Sequence, residues 1–357
     1  MNTYGKRIKL DIYGGSHDEK IGMILSGIPA GEAIDMDALR AFMARRAPGN
    51  DPYSTARKEA DEPVFLRGLD ENNVTTGEDI EAVIYNQNQR SGDYAPLADT
   101  PRPSHADYAA RVKYGEGVDL RGGGHFSGRL TAPMCIAGGI CLQILARRDI
   151  HVGAHIYSVG TVYDRSFDAV NISKRDLDIL HYWKFPVLEG SAGAKMKALI
   201  ERARADGDSV GGIVECVVIG LPTGLGEHMF DSVESAIAGI VFGIPAVKGI
   251  EFGAGFAASE MTGSQNNDPF YVEGDEVKTR TNNAGGILGG MTSGMPLIFR
   301  AAITPTPSIA REQDTVSLSK MQNVKITVGG RHDPCIVPRA VPVFEAAAAL
   351  AVMDLMS

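Results

Sequence analysis

The chain has 357 residues, 44% of them apolar and 22% charged, which describes a globular protein with room for one large domain or two ordinary ones. Its net charge of −9 argues against non-specific nucleic-acid binding, and an anionic ligand would need its own cluster of arginines. MNTYGKRIKLDIYGG has no apolar signal core, and the longest apolar run, TAPMCIAGGICLQILA (131–146), falls short of the ~20 residues of a membrane span; a cytoplasmic protein with neither membrane nor nucleic-acid partner is expected.

In chain order, RIKLDIY reads as a strand, followed by MILSGIPAG and then the helical pattern DMDALRAFMARRA, with Leu39, Phe42 and Met43 on one face and Pro48-Gly49 as its stop. PVFLRG and EAVIYN are strand-like. GAKMKALIERARADGD is an amphipathic helix presenting Met196, Leu199, Ile200 and Ala203, with Gly207 as its end. ECVVIGLPTG is again a strand, and DSVESAIAGIVFG places Val233, Ile237, Ile240 and Val241 at helical spacing. PLIFRAAIT and NVKITV are further strands, and VPRAVPVFEAAAALAVMDLM is an apolar helix. Hairpin-length spacings mixed with helices predict an α+β fold. The shared plan of strand, GIPAG (27–31) or GLPTG (220–224), then helix suggests an internal duplication within a single domain spanning 1–357.

Cys135, Cys141, Cys216 and Cys335 form no CxxC pair and read as reduced, buried thiols. No His/Cys/Asp spacing supplies a metal site. GAGFAA (253–258) matches a dinucleotide fingerprint, but TGSQNNDP follows at once, leaving no helix whose N-terminus could face a pyrophosphate. Glycines cluster in RGGGHFSG (121–128), FGAGFA (252–257) and NNAGGILGGMTSG (282–294); each run is either a phosphate cradle or a set of tight turns. His17, His105, His125 and His332 lie in loop-like contexts beside Gly, Pro or Ser, where imidazole can carry protons near neutral pH. Arg102 precedes His105 by three residues, Arg129 follows His125 by four, and Arg331 precedes Asp333 by two. Guanidinium forks beside proton carriers suit a small polyanion, while Arg45 and Arg46 have the alternative task of complementing a helix dipole. VGGRHDPC (328–335) is by itself either a solvated turn or a site. Residue chemistry alone stops at an enzyme of small anions using acid–base chemistry.

Taken together, GGSHD (14–18), IGMILSGIPAG, RRAPG (45–49), RPSHADY, RGGGHFSGRLTAPM, GDSVGG, VKGIEFGAGF, GSQNND, NNAGGILGGMTSG, PTPSI and GRHDPC resemble, in order and over almost the whole chain, the chorismate synthase family. GGGHFSGR marks a divergent type. The resemblance implies a β-α-β sandwich with internal pseudo-two-fold symmetry, usually a homotetramer. It implies a carbon–oxygen lyase acting on phosphates, which converts 5-enolpyruvylshikimate 3-phosphate to chorismate by 1,4-elimination with reduced FMN, the last common step of aromatic amino-acid biosynthesis. Carried over by motif, His17 is the acid near the leaving phosphate, His105 protonates and orients the flavin, and Asp333 acts in removing the C6 proton. Arg46, Arg102, Arg129 and Arg331 would hold the substrate. His125, Phe126, Ser127, Gly289, Thr304, Pro305, Thr306, Pro307, Ser308 and Arg331 would contact FMN. No additional domain for NADPH-driven flavin reduction is visible. Gly15, Ala47, Pro52, His125 and Thr304 depart from family Glu, Arg, basic, Arg and Lys positions, so weaker and more pH-sensitive FMN binding is expected. Rival readings are a catalytically inactive flavin- or anion-binding paralogue and an unrelated acid–base hydrolase.

Overall fold

The strand patterns of the first half assemble into one antiparallel sheet. The computed structural model describes residues 2–49, 61–86, 99–329 and 332–357. Strands β1 (Asn2–Tyr4), β2 (Lys9–Tyr13), β3 (Lys20–Ser26), β4 (Val64–Arg67) and β5 (Ile80–Tyr85) are ordered β1-β2-β3-β5-β4. Helix α1 (Met36–Arg46) lies between β3 and β4. It starts where Asp35 accepts hydrogen bonds from the amides of Asp37 and Ala38, satisfying donors that have no intrahelical partner. It buries Leu39 and Met43 as their spacing predicts. Helices α2 (Asp107–Tyr114) and α3 (Thr131–Ala146) complete this half.

The second half follows the same order of parts. Strand β6 (His151–Val159) is followed by β7 (Val162–Tyr163), α4 (Lys174–His181), α5 (Gly190–Ala205), β8 (Gly212–Ile219), α6 (Val233–Val241) and β9 (Val247–Phe252). Then come α7 (Gly263–Asn266), the hairpins β10 (Phe270–Glu273) with β11 (Glu276–Thr279) and β12 (Ile287–Leu288) with β13 (Met291–Thr292), and β14 (Leu297–Ile303). The hairpin β15 (Glu312–Ser317) with β16 (Gln322–Thr327) precedes α8 (Val337–Met356). The second five-stranded sheet runs β7-β6-β8-β14-β9. The succession β2-β3-α1-β4-β5-α3 thus recurs as β6-β8-α6-β9-β14-α8. The strands before GIPAG and GLPTG, β3 and β8, are each third of five in their sheets. This is the internal pseudo-two-fold symmetry, and the fold is α+β.

Between the sheets lies one helical layer. Helix α3 packs on β2, β3 and β5, while α8 packs on β6 and β8. The two meet so closely that a Cβ on Gly138 would come within 2.3 Å of Ala346 Cβ; only glycine permits that approach. Helix α3 is apolar on every side, as expected of a buried helix, and α8 is so apart from Arg339, Glu345 and Asp354. Among the described residues α3, with the turn before it, is the one helix long and apolar enough for a membrane span, and it is mostly buried here. One apolar cluster runs through both sheets and this layer. All four cysteines are free and buried, and burial pushes Cys135 and Cys141 up to about 12.

The outer face of the second sheet carries a buried charge ladder. His155, Glu215, Arg300 and Glu251 stand opposite one another on β6, β8, β14 and β9. His155 Nε2 is 2.9 Å from Glu215 Oε2 and its Nδ1 3.3 Å from Asp164 Oδ2, so both ring nitrogens face carboxylates. Arg300 Nε donates to Glu215 Oε1 at 2.8 Å. Burial depresses the imidazole's pKa, but the two carboxylates outweigh it and the net shift is upward. A raised folded pKa contributes stability that is complete below the ordinary ~6.5 and is lost as pH rises through the folded value. His155→Leu should therefore cost about 2–4 kcal/mol at pH 6 and distinctly less at pH 9, measured by urea unfolding. Equal costs at the two pH values would refute a charged His155.

Candidate active site

Three helix ends converge on one cavity of about 1210 Å³. The C-terminus of α1 brings Arg46, the short 3₁₀ turn Gly128–Leu130 before α3 brings Arg129, and the start of α8 brings Asp333 and Arg339. The turn before α2 adds Arg102 and His105. The chain leaving β14 adds Thr304, Thr306, Pro307 and Ser308. His125, Phe126 and Ser127 form another stretch of wall, with Tyr114 6.4 Å from Phe126 between ring centroids. Phe242 and Lys248 line the cavity, the first from the segment joining α6 to β9 and the second from β9 itself.

The glycines of RGGGHFSG make this wall possible. Gly122, Gly123 and Gly124 all have positive φ (58°, 93° and 53°), the region that favours glycine. A Cβ on Gly122 would lie 2.3 Å from His17 Cε1. His17 is accordingly buried beneath Gly122 and is not itself part of the wall. The other two glycine runs line no part of the cavity. NNAGGILGGMTSG forms turns around β12 and β13, and FGAGFA runs into a 3₁₀ helix, Gly255–Glu260, with no long helix after it.

Each wall arginine is held by a carboxylate. Asp61, buried in a left-handed conformation (φ 51°), accepts from Arg46 Nη1 at 2.5 Å and from Arg129 Nη1. Arg46 also donates to Thr131 Oγ1 at 3.1 Å and to the Gly128 carbonyl at 2.9 Å, and Arg129 Nε donates to Asn86 Oδ1 at 3.2 Å. Arg102 is bound by Asp107 at 2.7 Å and 2.8 Å. Arg339 Nη1 donates to Asp333 Oδ2 at 2.6 Å, and its Nε to the Arg46 carbonyl at 3.1 Å. Burial pushes the Asp61 and Asp107 carboxyls upward, yet the adjoining guanidiniums, joined at Asp107 by His105, hold both well below the usual carboxylate range. Asp61 and Asp107 stand behind the wall, so the surface offered to a ligand carries four guanidiniums and Lys248 against the carboxylate of Asp333. Such a wall is suited to a small polyanion.

The structure brings Arg46, Arg102, His105, His125, Phe126, Ser127, Arg129, Thr304, Thr306, Pro307, Ser308 and Asp333 to this one cavity. Two expected flavin contacts are not brought there. Gly289 occupies the exposed turn between β12 and β13, where its φ of 62° meets a turn requirement, and Pro305 is exposed and directed away beside Gly211. Arg331 and Pro52 lie outside the described residues. Arg45 does more than complement the dipole of α1: it makes a bidentate ion pair with the buried Glu345 of α8, at 2.5 and 2.9 Å. Ala47 is buried at the end of α1.

Sequence reading missed Asp61, Asp107, Lys248 and Arg339. Arg339 had a usable signal, as a lone cation in the otherwise apolar run VPRAVPVF, where a charge needs a partner. Asp61 had none, because its neighbours in EADEP are equally acidic.

A chorismate synthase family model matches residues 8–357. The chain is 41% identical over 363 residues to a chorismate synthase of Lancefieldella parvula, covering 99% of this chain and 95% of that protein. It is 43% identical over 350 residues to one from Thermococcus kodakarensis, covering 98% and 96%. A crystal structure described as chorismate synthase superposes with a TM-score of 0.76 at 25% identity, covering 99% of this chain and 92% of that one.

Proposed function

The chain belongs to the chorismate synthase family and is a lyase acting on phosphates; from that premise we propose how its cavity carries out the 1,4-elimination of phosphate from 5-enolpyruvylshikimate 3-phosphate with reduced FMN. The observation that carries the reading is the meeting of four guanidiniums with His105 and Asp333 on one wall. A substrate bearing two carboxylates and a phosphate matches that excess of positive charge, and fixed cations stabilise the charge that develops as phosphate leaves.

The wall fits a flavin beside this substrate. Its volume exceeds the usual range for one small ligand, and Tyr114, Phe126 and Phe242 provide aromatic surfaces. Thr306 Oγ1 on the wall and Ser16 Oγ beneath Gly122 are buried with no hydrogen-bond partner among the described residues, an arrangement that invites a ligand acceptor or donor. Ser127, Thr304, Thr306 and Ser308 are among the wall hydroxyls that could serve it, with Arg331 assigned by motif. When bound, reduced FMN supplies the electron-rich environment the elimination requires, the overall reaction being redox-neutral. Asp333, oriented by Arg339, takes the C6 proton; His105 holds and donates a proton at the flavin edge; Arg46, Arg102 and Arg129 bind the substrate anions. His17 donates toward the departing phosphate from beneath the Gly122 turn, the nearest stretch of wall.

His125 gives this chain a particular cofactor response. Its Nδ1 is 2.9 Å from the Gly14 carbonyl oxygen, which can only accept, so Nδ1 carries a proton and Nε2 is left for the ligand. Only a protonated ring can then donate to an anion. FMN affinity, measured by fluorescence quenching, should be about three- to tenfold tighter at pH 6 than at pH 8.5, and His125→Gln should flatten the difference. Equal affinities in the wild type would count against a charged His125.

The undivided core supports a single domain. Exposed Phe256, Phe270, Val272, Val277 and Trp183 support a homotetramer, which light scattering reads directly. An enzyme feeding aromatic biosynthesis belongs in the cytoplasm, with no nucleic acid or membrane needed. The deciding assay is chorismate formation under strict anaerobiosis with chemically reduced FMN, beside an oxidised-FMN control. Turnover with reduced flavin alone is expected. Binding of both ligands without turnover would favour the inactive paralogue, and turnover without any flavin would favour a hydrolase.

A further inference from the structure

Asp107 is the first residue of α2, where an acid commonly complements the helix dipole. Its side chain does something else. It is 2% exposed and bonds none of α2's own amides. All four of its hydrogen bonds come from the preceding turn: Arg102 N at 3.0 Å, Arg102 Nε at 2.7 Å, Arg102 Nη2 at 2.8 Å and His105 Nδ1 at 2.6 Å. Arg102 Nη2 also lies 3.1 Å from His105 Nδ1. A guanidinium only donates and an ionised carboxylate only accepts, so the shorter contact assigns the proton: Nδ1–H donates to Asp107. The other ring nitrogen, Nε2, is then the one turned to Gly123, 3.4 Å from where a Cβ on that residue would stand, with the ring on the cavity wall.

We infer that Asp107 is a positioning residue for the reaction, one carboxylate that fixes the tautomer of His105 and the orientation of Arg102 together. The inference rests on the reading of the cavity given above. Arg102 Nη1 in turn donates to Ser308 Oγ at 3.3 Å, so the same carboxylate ties the proton carrier and the anion holder to the chain leaving β14. A misplaced acid here would leave His105 offering the wrong nitrogen, or leave Arg102 turned away from its ligand.

Asp107→Asn separates these effects. An amide has one acceptor oxygen, and two Arg102 donors share Oδ2 whereas Arg102 Nη2 and His105 Nδ1 share Oδ1. The NH₂ therefore settles on the His105 side and forces Nδ1 to accept. In ¹⁵N-histidine spectra of the free wild-type enzyme, assigned by the signal missing in His105→Gln, Nδ1 should stay protonated from pH 6 to 9. Asp107→Asn should move the neutral-ring proton to Nε2 and lower kcat by ~10²–10⁴-fold, with KM changed less than about tenfold. Loss of the Nδ1 proton in the wild type would overturn the inference whatever the variant does. So would a folded Asp107→Asn enzyme with an unchanged tautomer and kcat within about threefold. If the wild type makes no chorismate, the functional reading fails by itself, since the spectra need neither substrate nor flavin.

Discussion

Asp333→Asn is expected to lower kcat by ~10²–10⁴-fold while leaving the affinity for substrate and FMN within about tenfold, as measured by single-turnover kinetics and equilibrium titration. The amide keeps the shape of the carboxylate and can still accept from Arg339 Nη1, now at 2.6 Å. It cannot take up a proton at working pH, so the loss falls on the step in which C6 is deprotonated. Arg339 makes the experiment sharper. Its guanidinium is anchored to the Arg46 carbonyl, which keeps the replaced side chain near its original place. A kcat within tenfold of the wild type would remove Asp333 from the role of base and leave it as a partner for Arg339 alone.

Asp61→Ala is expected to cost about 3–5 kcal/mol of stability, because it takes one shared carboxylate from two buried cations. Arg46 and Arg129 come from different elements, the end of α1 and the turn before α3, and Asp61 is the acid they hold in common. Among the described residues they also bond Thr131, the Gly128 carbonyl and Asn86, which are neutral. Substrate affinity should fall by about tenfold or more as the two forks lose their fixed separation. Urea unfolding with a substrate titration checks both parts, and unchanged stability would show that Asp61 is replaceable by water. The net lowering of its pKa adds a direction: the stabilisation is present above the ordinary carboxylate pKa and disappears as pH falls through the depressed folded value. The variant should therefore differ least from the wild type in strong acid.

How far the sequence discloses this molecule follows from the kind of signal each part leaves. Helix α1 was legible because one face is buried and the other is not, and the GIPAG and GLPTG turns disclosed the repeat and with it strand β3. Strand β6 was missed: its pattern is buried on both faces, and a histidine and glycine interrupt its apolar run. Helix α3 registered only as an apolar stretch, since burial on every side erases the period that announces a helix. The side chains that face a ligand were found because their motifs resemble a family. The acids behind them were not: Asp61 joins Arg46 to an Arg129 that is brought close only by folding, and Asp107, although two residues from His105, does not differ in sequence from an acid that complements the helix dipole.

The helical layer has a consequence for how the chain is made. The first sheet and α3 are complete once residue 146 has been synthesised, but the face of α3 that receives Ala346 has no partner until residues 337–356 are available. The second sheet waits as well, for β14 and then for α8. Neither repeat can therefore cover its central helix before residues 337–356 have been made, and about 190 residues must be added while an apolar helix remains uncovered. A chain stopped before residue 337 would lack the centre of the layer and not merely an end, and it would become a client of chaperones and proteases instead of a smaller enzyme.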